Sequence, residues 1–223
     1  PKERIIEYML ESDANKPLVN MTLTDFANET SSESPAPGGG SIAAYCGSMG
    51  IALGTMVANL SAHKRGWDDR WEEYSDWAVK AQAYKEELLF FVDEDTRSFN
   101  KVMDSFRLPK GTDEEKVTRS EAISKATKYA IDTPLAVMQT AHDSMQVMLE
   151  MSKIGLEASI SDAGVGAMCA LTAIRGAGLN VKINCSGFKD TAFVEDRLSK
   201  AALIIEKAIT LEKEIVSIAE SKL

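Results

Sequence analysis

Apolar residues recur every three to four positions along most of the chain, a spacing typical of amphipathic helices. The pattern predicts helices over residues 22–28, 41–62, 67–107, 113–153 with a kink at Pro134, 161–174 and 191–223. Gly176 and Gly178 are expected to end the fifth helix, and residues 180–184 are expected to be extended. No segment reads as part of a sheet. The predicted fold is therefore all-α, a multi-helix bundle with antiparallel neighbours joined by short loops.

The helix predicted over residues 41–62 contains no charged residue and is rich in small side chains. It is long enough to be weighed as a membrane span, but its glycines, serines, threonine and asparagine dilute the hydrophobicity that a span needs. A helix that is apolar or small on every side is also typical of a buried position. Gly47, Gly50 and Gly54 lie along one face and would let another helix approach closely. We expect this helix to be the central core helix of the bundle.

The composition narrows the class of protein. With 223 residues the chain is long enough for one substantial domain, expected over residues 21–223, after a linker or tail over residues 1–20. The net charge of −9 disfavours nucleic acid and anionic membranes as partners. Three widely spaced cysteines without a C-x-x-C motif, and no visible secretory signal, favour a cytoplasmic protein with reduced thiols. With only two histidines, remote from each other, we expect no metal site.

A glycine-rich loop, Ser34-Pro-Ala-Pro-Gly-Gly-Gly-Ser41, leads directly into the uncharged helix. Glycines at a helix start leave backbone N–H groups accessible at the positive end of the helix dipole, which suits an anion or a carbonyl oxygen. Gly38, Gly39, Gly40 and Ser41 are therefore candidate binding residues. An ordinary helix-start turn remains the alternative. The loop is not a Walker loop, because no lysine follows the glycines.

The helix predicted over residues 67–107 carries an apolar seam that one acid interrupts. Its members are Tyr74, Trp77, Ala81, Tyr84, Leu88, Phe91, Asp95, Phe99, Val102 and Phe106. A carboxylate at a core position must find a cation, hold a proton or face a ligand cleft, because a buried unpaired charge is costly. Asp95 is therefore the candidate catalytic residue, with a satisfied structural aspartate as the alternative. Asp93 and Glu94 lie off the seam and are expected on a solvated face.

Two further features have both an ordinary and a functional interpretation. Asp162 suits the first turn of a helix, where the dipole favours an acid, but a carboxylate can also accept two N–H donors from an amino-pyrimidinone edge. Lys64 and Arg65 suit a helix C-terminus, but they could instead bind the carboxylates of an anionic substrate. These three residues are candidate substrate-binding residues.

The motifs, taken in order, resemble the formiminotetrahydrofolate cyclodeaminase family, which includes methenyltetrahydrofolate cyclohydrolases. The resemblance covers residues 21–223 and rests on the glycine loop with the helix after it and on four later segments: residues 93–99 (DEDTRSF), 108–109 (LP), 161–167 (SDAGVGA) and 180–184 (NVKIN). Residues 1–8 resemble the tail of a glutamate formiminotransferase domain, so the chain looks like the second half of a bifunctional formiminotransferase-cyclodeaminase. One departure is Leu156, where the family often has asparagine after glycine; a leucine side chain cannot make the polar contact of that asparagine.

The resemblance implies a reaction in which N10 of 5-formiminotetrahydrofolate attacks the amidine carbon on N5. Ammonia is then expelled and 5,10-methenyltetrahydrofolate forms, a step of histidine degradation. Asp95 matches the family's proposed proton donor. The resemblance also implies a homodimer, no metal and no cofactor beyond the folate. The folate can be polyglutamylated, and Lys64 and Arg65 are the candidates for binding its tail. Two alternatives remain: a cyclohydrolase, and a non-catalytic helical dimerisation module, which would need no polar residue on the seam.

Overall fold

The structure, a computed structural model, describes residues 17–223 and is built from helices alone over that range. Its six α-helices are α1 (Leu23–Thr30), α2 (Gly39–Ala62), α3 (Trp71–Arg107), α4 (Asp113–Ile154), α5 (Ile160–Cys185) and α6 (Thr191–Glu220). Short 3₁₀ turns, Asp68–Arg70 and Glu157–Ser159, precede α3 and α5. The prediction of an all-α fold is confirmed. The segment that resembles a formiminotransferase tail, residues 1–8, lies outside the described residues.

Several helix ends follow from capping residues. The Thr22 side chain accepts the N–H of Asp25 at the start of α1, and the Asp190 side chain accepts that of Phe193 at the start of α6. At the start of α4, Thr112 and Glu115 form a reciprocal capping box. These local hydrogen bonds satisfy backbone donors that have no partner inside the helix, so they fix where each helix begins.

Four helices form the bundle that positions the site. α2 packs against α3 and α5, α4 packs against the same two helices, and α6 covers α4 and α5. α2 and α5 run antiparallel, because Gly39 lies beside Asn180 while Gly50 lies beside Gly166. A Cβ added at Gly50 would lie 2.7 Å from the carbonyl oxygen of Gly166. The predicted close approach of a neighbouring helix along these glycines is therefore confirmed.

The prediction that α5 ends at Gly176 and Gly178 is wrong, since the helix continues to Cys185. Both glycines serve helix packing instead. A Cβ at Gly176 would lie 3.3 Å from the Cβ of Ala43, and one at Gly178 would lie 3.1 Å from Cδ1 of Ile205. Residues 180–184 are consequently helical rather than extended. Asn180 and Asn184, one turn apart, share a helix face.

The expectation of a solvated face for Asp93 and Glu94 is also wrong, because these side chains are only 3% and 5% exposed. Asp93 Oδ1 accepts the N–H of Leu18 at 2.9 Å and so ties the start of the described chain to α3. Glu94 binds Arg97 at 2.6 Å and Lys101 at 3.2 Å and accepts a short hydrogen bond from Tyr129 on α4. Burial alone would raise the pKa of Glu94, but these hydrogen bonds outweigh it and hold the pKa below its usual value.

Two segments, Gly39–Ala62 and Glu157–Cys185, are long and apolar enough to cross a membrane by length and composition. In the bundle 61% and 50% of their most apolar windows are buried. Core helices of soluble proteins have the same property. The inner face of α2 is fully packed, as predicted for a central helix, but its outer face is partly exposed at Ile42, Met49 and Met56.

Candidate active site

A cavity of about 320 Å³ lies at the N-terminal end of α2, with walls from the glycine loop, α3, α4 and α5. It is lined by Pro35, Ala36, Gly38, Gly39, Asp95, Thr96, Ser98, Phe99, Asn100, Val102, Thr127, Ala130, Asn180 and Asn184. The dipole of α2 points its positive end toward this space. The structure therefore brings the glycine loop and Asp95 together at one cavity.

Asp95 is held at the cavity by the first turn of α2. Its Oδ2 accepts the backbone N–H of Ser41 at 3.1 Å and lies 3.4 Å from the Ser41 hydroxyl. That hydroxyl donates a shorter bond, 2.8 Å, to the carbonyl oxygen of Val92 on α3. The loop is thus not a cradle of wholly vacant N–H groups, because Asp95 occupies that of Ser41. Gly39 and Gly40 lie in the same first turn, where N–H groups have no intrahelical acceptor.

Burial raises the pKa of Asp95 above its usual range, and the hydrogen bonds from the Ser41 N–H and hydroxyl reduce that rise. A raised pKa favours the protonated carboxyl. A protonated carboxyl beside a cavity can donate a proton, and its conjugate base can take the proton back.

Gly40 packs directly on the acid. A Cβ at this position would lie 2.1 Å from Oδ1 and 2.4 Å from Cγ of Asp95, closer than any real contact. The third glycine of the loop is required because the carboxyl occupies the place of a side chain. A Cβ at Gly39 would lie 3.7 Å from Nδ2 of Asn180, an ordinary contact.

Asn180, Asn184 and Thr96 are polar residues of the cavity that were not among the sequence candidates. Asn180 donates to the Gly176 carbonyl at 3.0 Å and Asn184 donates to that of Ala130 at 2.7 Å, which fixes both amides at the wall. The spacing of these asparagines, four apart, would have indicated a shared helix face had the segment been assigned as helix. The hydroxyl of Thr96 is buried and has no hydrogen-bond partner among residues 17–223. A lone threonine on a helix gives no comparable signal in the sequence.

A second, larger groove of about 810 Å³ adjoins the cavity, since Thr127 lines both. Phe106 forms part of its wall. Its charged lining residues are four cations, Lys110, Lys116, Arg119 and Lys189, and one acid, Asp190, which is paired with Lys128. Lys116 is paired with Asp113, whereas Lys110 and Lys189 form no ion pair with the residues that the structure describes. In a chain of net charge −9, this groove concentrates positive charge beside the cavity.

The remaining candidates do not meet Asp95 within one chain. Lys64 and Arg65 follow the C-terminus of α2, and Lys64 lies over the ring of Trp67 at 5.2 Å. With a rise of about 1.5 Å per residue, the two ends of this 24-residue helix are about 35 Å apart. Asp162 is in the first turn of α5, whose opposite end lines the cavity. Among residues 17–223 no group of three or more His, Cys, Asp or Glu side chains is placed to hold a metal ion.

The sequence and the fold of this chain are similar to those of known proteins. Residues 22–203 match the model of the family described as formiminotransferase-cyclodeaminase. Methenyltetrahydrofolate cyclohydrolase of Methylorubrum extorquens is 34% identical over 91% of this chain and 98% of its own length. Mouse formimidoyltransferase-cyclodeaminase is 31% identical over 94% of this chain, which spans 39% of the mouse protein. The crystal structure of formiminotetrahydrofolate cyclodeaminase from Thermotoga maritima has the same fold, with a TM-score of 0.79 at 22% identity over 91% of this chain and 97% of that one.

Proposed function

Because the chain belongs to the formiminotransferase-cyclodeaminase family, we propose that it is an enzyme of folate one-carbon chemistry that converts 5-formiminotetrahydrofolate to 5,10-methenyltetrahydrofolate and ammonia. The observation that carries this proposal is the position of Asp95, a partly buried carboxyl with a raised pKa at a cavity beside the glycine loop. We expect the enzyme to be a cytoplasmic homodimer.

The proposed reaction requires protonation of the nitrogen that leaves as ammonia. N10 of the substrate attacks the amidine carbon on N5, and a tetrahedral adduct forms. The amino group of this adduct leaves only after it has been protonated, because amide ion is a poor leaving group. A carboxyl with a raised pKa is suited to give that proton. The attacking nitrogen belongs to the substrate, so the protein needs no nucleophile, and holding N10 against the amidine carbon supplies the proximity.

The shape of the site suits a folate. Phe99 and Phe106 of α3 are 50% and 49% exposed, and they line the cavity and the adjoining groove respectively. An aromatic p-aminobenzoyl group could pass along these rings while the reacting atoms lie at Asp95. The carboxylates of the tail would then reach Lys110 and Lys189 in the groove. This placement replaces Lys64 and Arg65 of the same chain as the residues nearest the tail.

A cyclohydrolase is the second candidate, and the M. extorquens relative favours it because its alignment spans nearly its whole length under that name. In this reaction water attacks the methenyl carbon of 5,10-methenyltetrahydrofolate, and the same carboxyl would exchange protons with water and N10. A non-catalytic helical module has less support, since it gives no reason for an acid at a cavity between four elements.

Ultraviolet absorbance of methenyltetrahydrofolate separates these candidates in one assay. We expect the purified chain to form this product from 5-formiminotetrahydrofolate and to release one ammonia for each product. Rapid loss of added methenyltetrahydrofolate, with no product from the formimino substrate, would assign the chain as a cyclohydrolase. Inactivity toward both compounds would reject a folate enzyme.

A further inference from the structure

Pro134 lies inside α4, where a proline leaves one backbone acceptor without its usual donor. Proline has no backbone N–H, so the carbonyl four residues earlier in the helix, that of Ala130, receives no hydrogen bond from this position. The proline ring also crowds that carbonyl and bends the helix there. Ala130 is only 7% exposed, and a buried carbonyl without a donor is costly. A donor from outside α4 would therefore stabilise the fold at this point.

Asn184 of α5 is that donor. Its Nδ2 donates to the Ala130 carbonyl at 2.7 Å, across 54 positions of sequence. Because Nδ2 is a donor and Oδ1 is an acceptor, this bond fixes which way the carboxamide is turned. Oδ1 accepts no hydrogen bond from residues 17–223. Ala130 and Asn184 both line the cavity that contains Asp95, so the carboxamide lies at the cavity wall with a free acceptor.

Asn180, one turn earlier on α5, lines the same cavity but is held in a different way. Its Nδ2 donates at 3.0 Å to the carbonyl of Gly176, which belongs to the same helix. This bond is local to α5 and does not depend on Pro134. The two asparagines therefore form a matched pair, in which only the orientation of Asn184 depends on the proline in α4.

We infer that Pro134 is a positioning residue, which leaves the Ala130 carbonyl free to orient Asn184, and that Asn184 Oδ1 accepts an N–H of the reduced pterin bound at Asp95. A tetrahydropterin carries N–H donors on both of its rings, and a side-chain amide oxygen is a matching acceptor. An amide that is already fixed loses less conformational entropy on binding than a mobile one. The identity of the ligand rests on the proposed function, whereas the link between Pro134 and Asn184 does not.

A double-mutant cycle in stability tests this link without any folate. Asn184→Ala should lower the melting temperature by at least about 2 °C, because it leaves the Ala130 carbonyl unpaired. In a Pro134→Ala background the same substitution should cost at most about half as much, since the new N–H at position 134 can pair with that carbonyl. Asn180→Ala should cost the same in both backgrounds. An equal loss for Asn184→Ala in both backgrounds would overturn the positioning role.

The binding role is tested by the KM for 5-formiminotetrahydrofolate, or for methenyltetrahydrofolate if the chain is a cyclohydrolase. Asn184→Ala should raise KM by about tenfold and change kcat by less than about threefold, because it removes a binding contact and not the proton donor. Pro134→Ala should raise KM by about threefold alone, add nothing in the Asn184→Ala variant, and add fully in the Asn180→Ala variant.

Two outcomes of the kinetic cycle would count against the inference. An unchanged KM in Asn184→Ala would overturn the binding role. Full additivity of Pro134→Ala with Asn184→Ala would show that the proline does not act through the asparagine. If neither compound is turned over while the stability cycle gives the expected result, the proposed function and the ligand of Asn184 fail, and only the link between Pro134 and Asn184 stands.

Discussion

The two halves of α3 carry the same apolar spacing into two different environments. In the first half Tyr74 and Leu88 are fully buried, and the Tyr74 hydroxyl donates to the carbonyl of Ile154 at 2.6 Å. In the second half Phe99 and Phe106 are about half exposed and line a cavity and a groove. Asp95 lies where the core ends and the cavity begins. The periodicity thus identifies one helix face, and the neighbouring elements decide whether that face is core or binding surface.

The largest loss of turnover is expected at Asp95, where the buried part of α3 meets the cavity. Asp95→Asn should lower turnover by about 10²- to 10⁴-fold, because the amide cannot deliver a proton at neutral pH. Its melting temperature should be equal to that of the native protein or higher. Ionisation of Asp95 costs stability as the pH rises from its unfolded to its raised folded pKa, and the amide avoids that cost. Steady-state rates and thermal melting at neutral pH measure both effects.

The native pH profile provides a control for this assignment. If protonated Asp95 is the acid, turnover should fall as the pH rises through its raised pKa. The residual rate of Asp95→Asn should lack that limb. Turnover of the variant close to native, or an unchanged alkaline limb, would remove Asp95 from the mechanism.

Gly40→Ala should come next, with turnover reduced by about 10²-fold, because the new Cβ would displace the Asp95 carboxyl by an ångström or more. Gly39→Val is the matched variant, since a side chain there meets Asn180 and the cavity but not Asp95. It should raise KM more than it lowers kcat. Equal loss of kcat in both variants would show that the loop acts as a unit rather than through one contact.

A substitution at a core position in the first half of α3 should reduce stability rather than turnover. Leu88→Ala should reduce the free energy of unfolding by about 2–5 kcal/mol, because it leaves a cavity in the packed bundle. Turnover per folded molecule should stay close to native. Chemical denaturation gives the first quantity, and activity well below the melting temperature gives the second. A specific loss of kcat without destabilisation would contradict the division of α3 into core and site.

The smallest effect is expected at Phe106, the groove residue furthest along the seam. Phe106→Ala should change stability by no more than about 0.5 kcal/mol, because the ring is half exposed. It should raise the KM for folate by roughly three- to tenfold through the loss of aromatic contact. Folates of different tail length can be compared in the same assay. A drop in melting temperature with unchanged KM would instead place Phe106 in the core.

The sequence predicted the parts of this fold that local signals determine. The predicted starts of α4 and α6, residues 113 and 191, match the structure, where Thr112 and Asp190 cap the two helices. A single acid on an apolar seam was enough to select Asp95. The end of α5 could not be found in this way. Gly176 and Gly178 are of the residue type that often ends a helix. Only their closeness to Ala43 and Ile205 in the fold shows that they are packing positions.

The surroundings of several charged residues also depend on tertiary contacts that local sequence signals do not show. Asp93 is buried because the backbone of Leu18, 75 positions away, donates to it, and Glu94 is buried because Tyr129 and two cations surround it. Arg97 and Lys101 follow Glu94 on α3 and could be found from spacing, but Leu18 and Tyr129 lie elsewhere in the chain and could not. Which end of the bundle Lys64, Arg65 and Asp162 occupy depends on the antiparallel pairing of α2 with α5, a tertiary property.

The bond between Leu18 and Asp93 has a mechanical consequence. Asp93 and Asp95 are two residues apart on the same turn of α3, so the hydrogen bond from Leu18 is made within one helical turn of Asp95, the proposed proton donor. A displacement of Leu18 would therefore be transmitted through this hydrogen bond to the turn of α3 that carries Asp95.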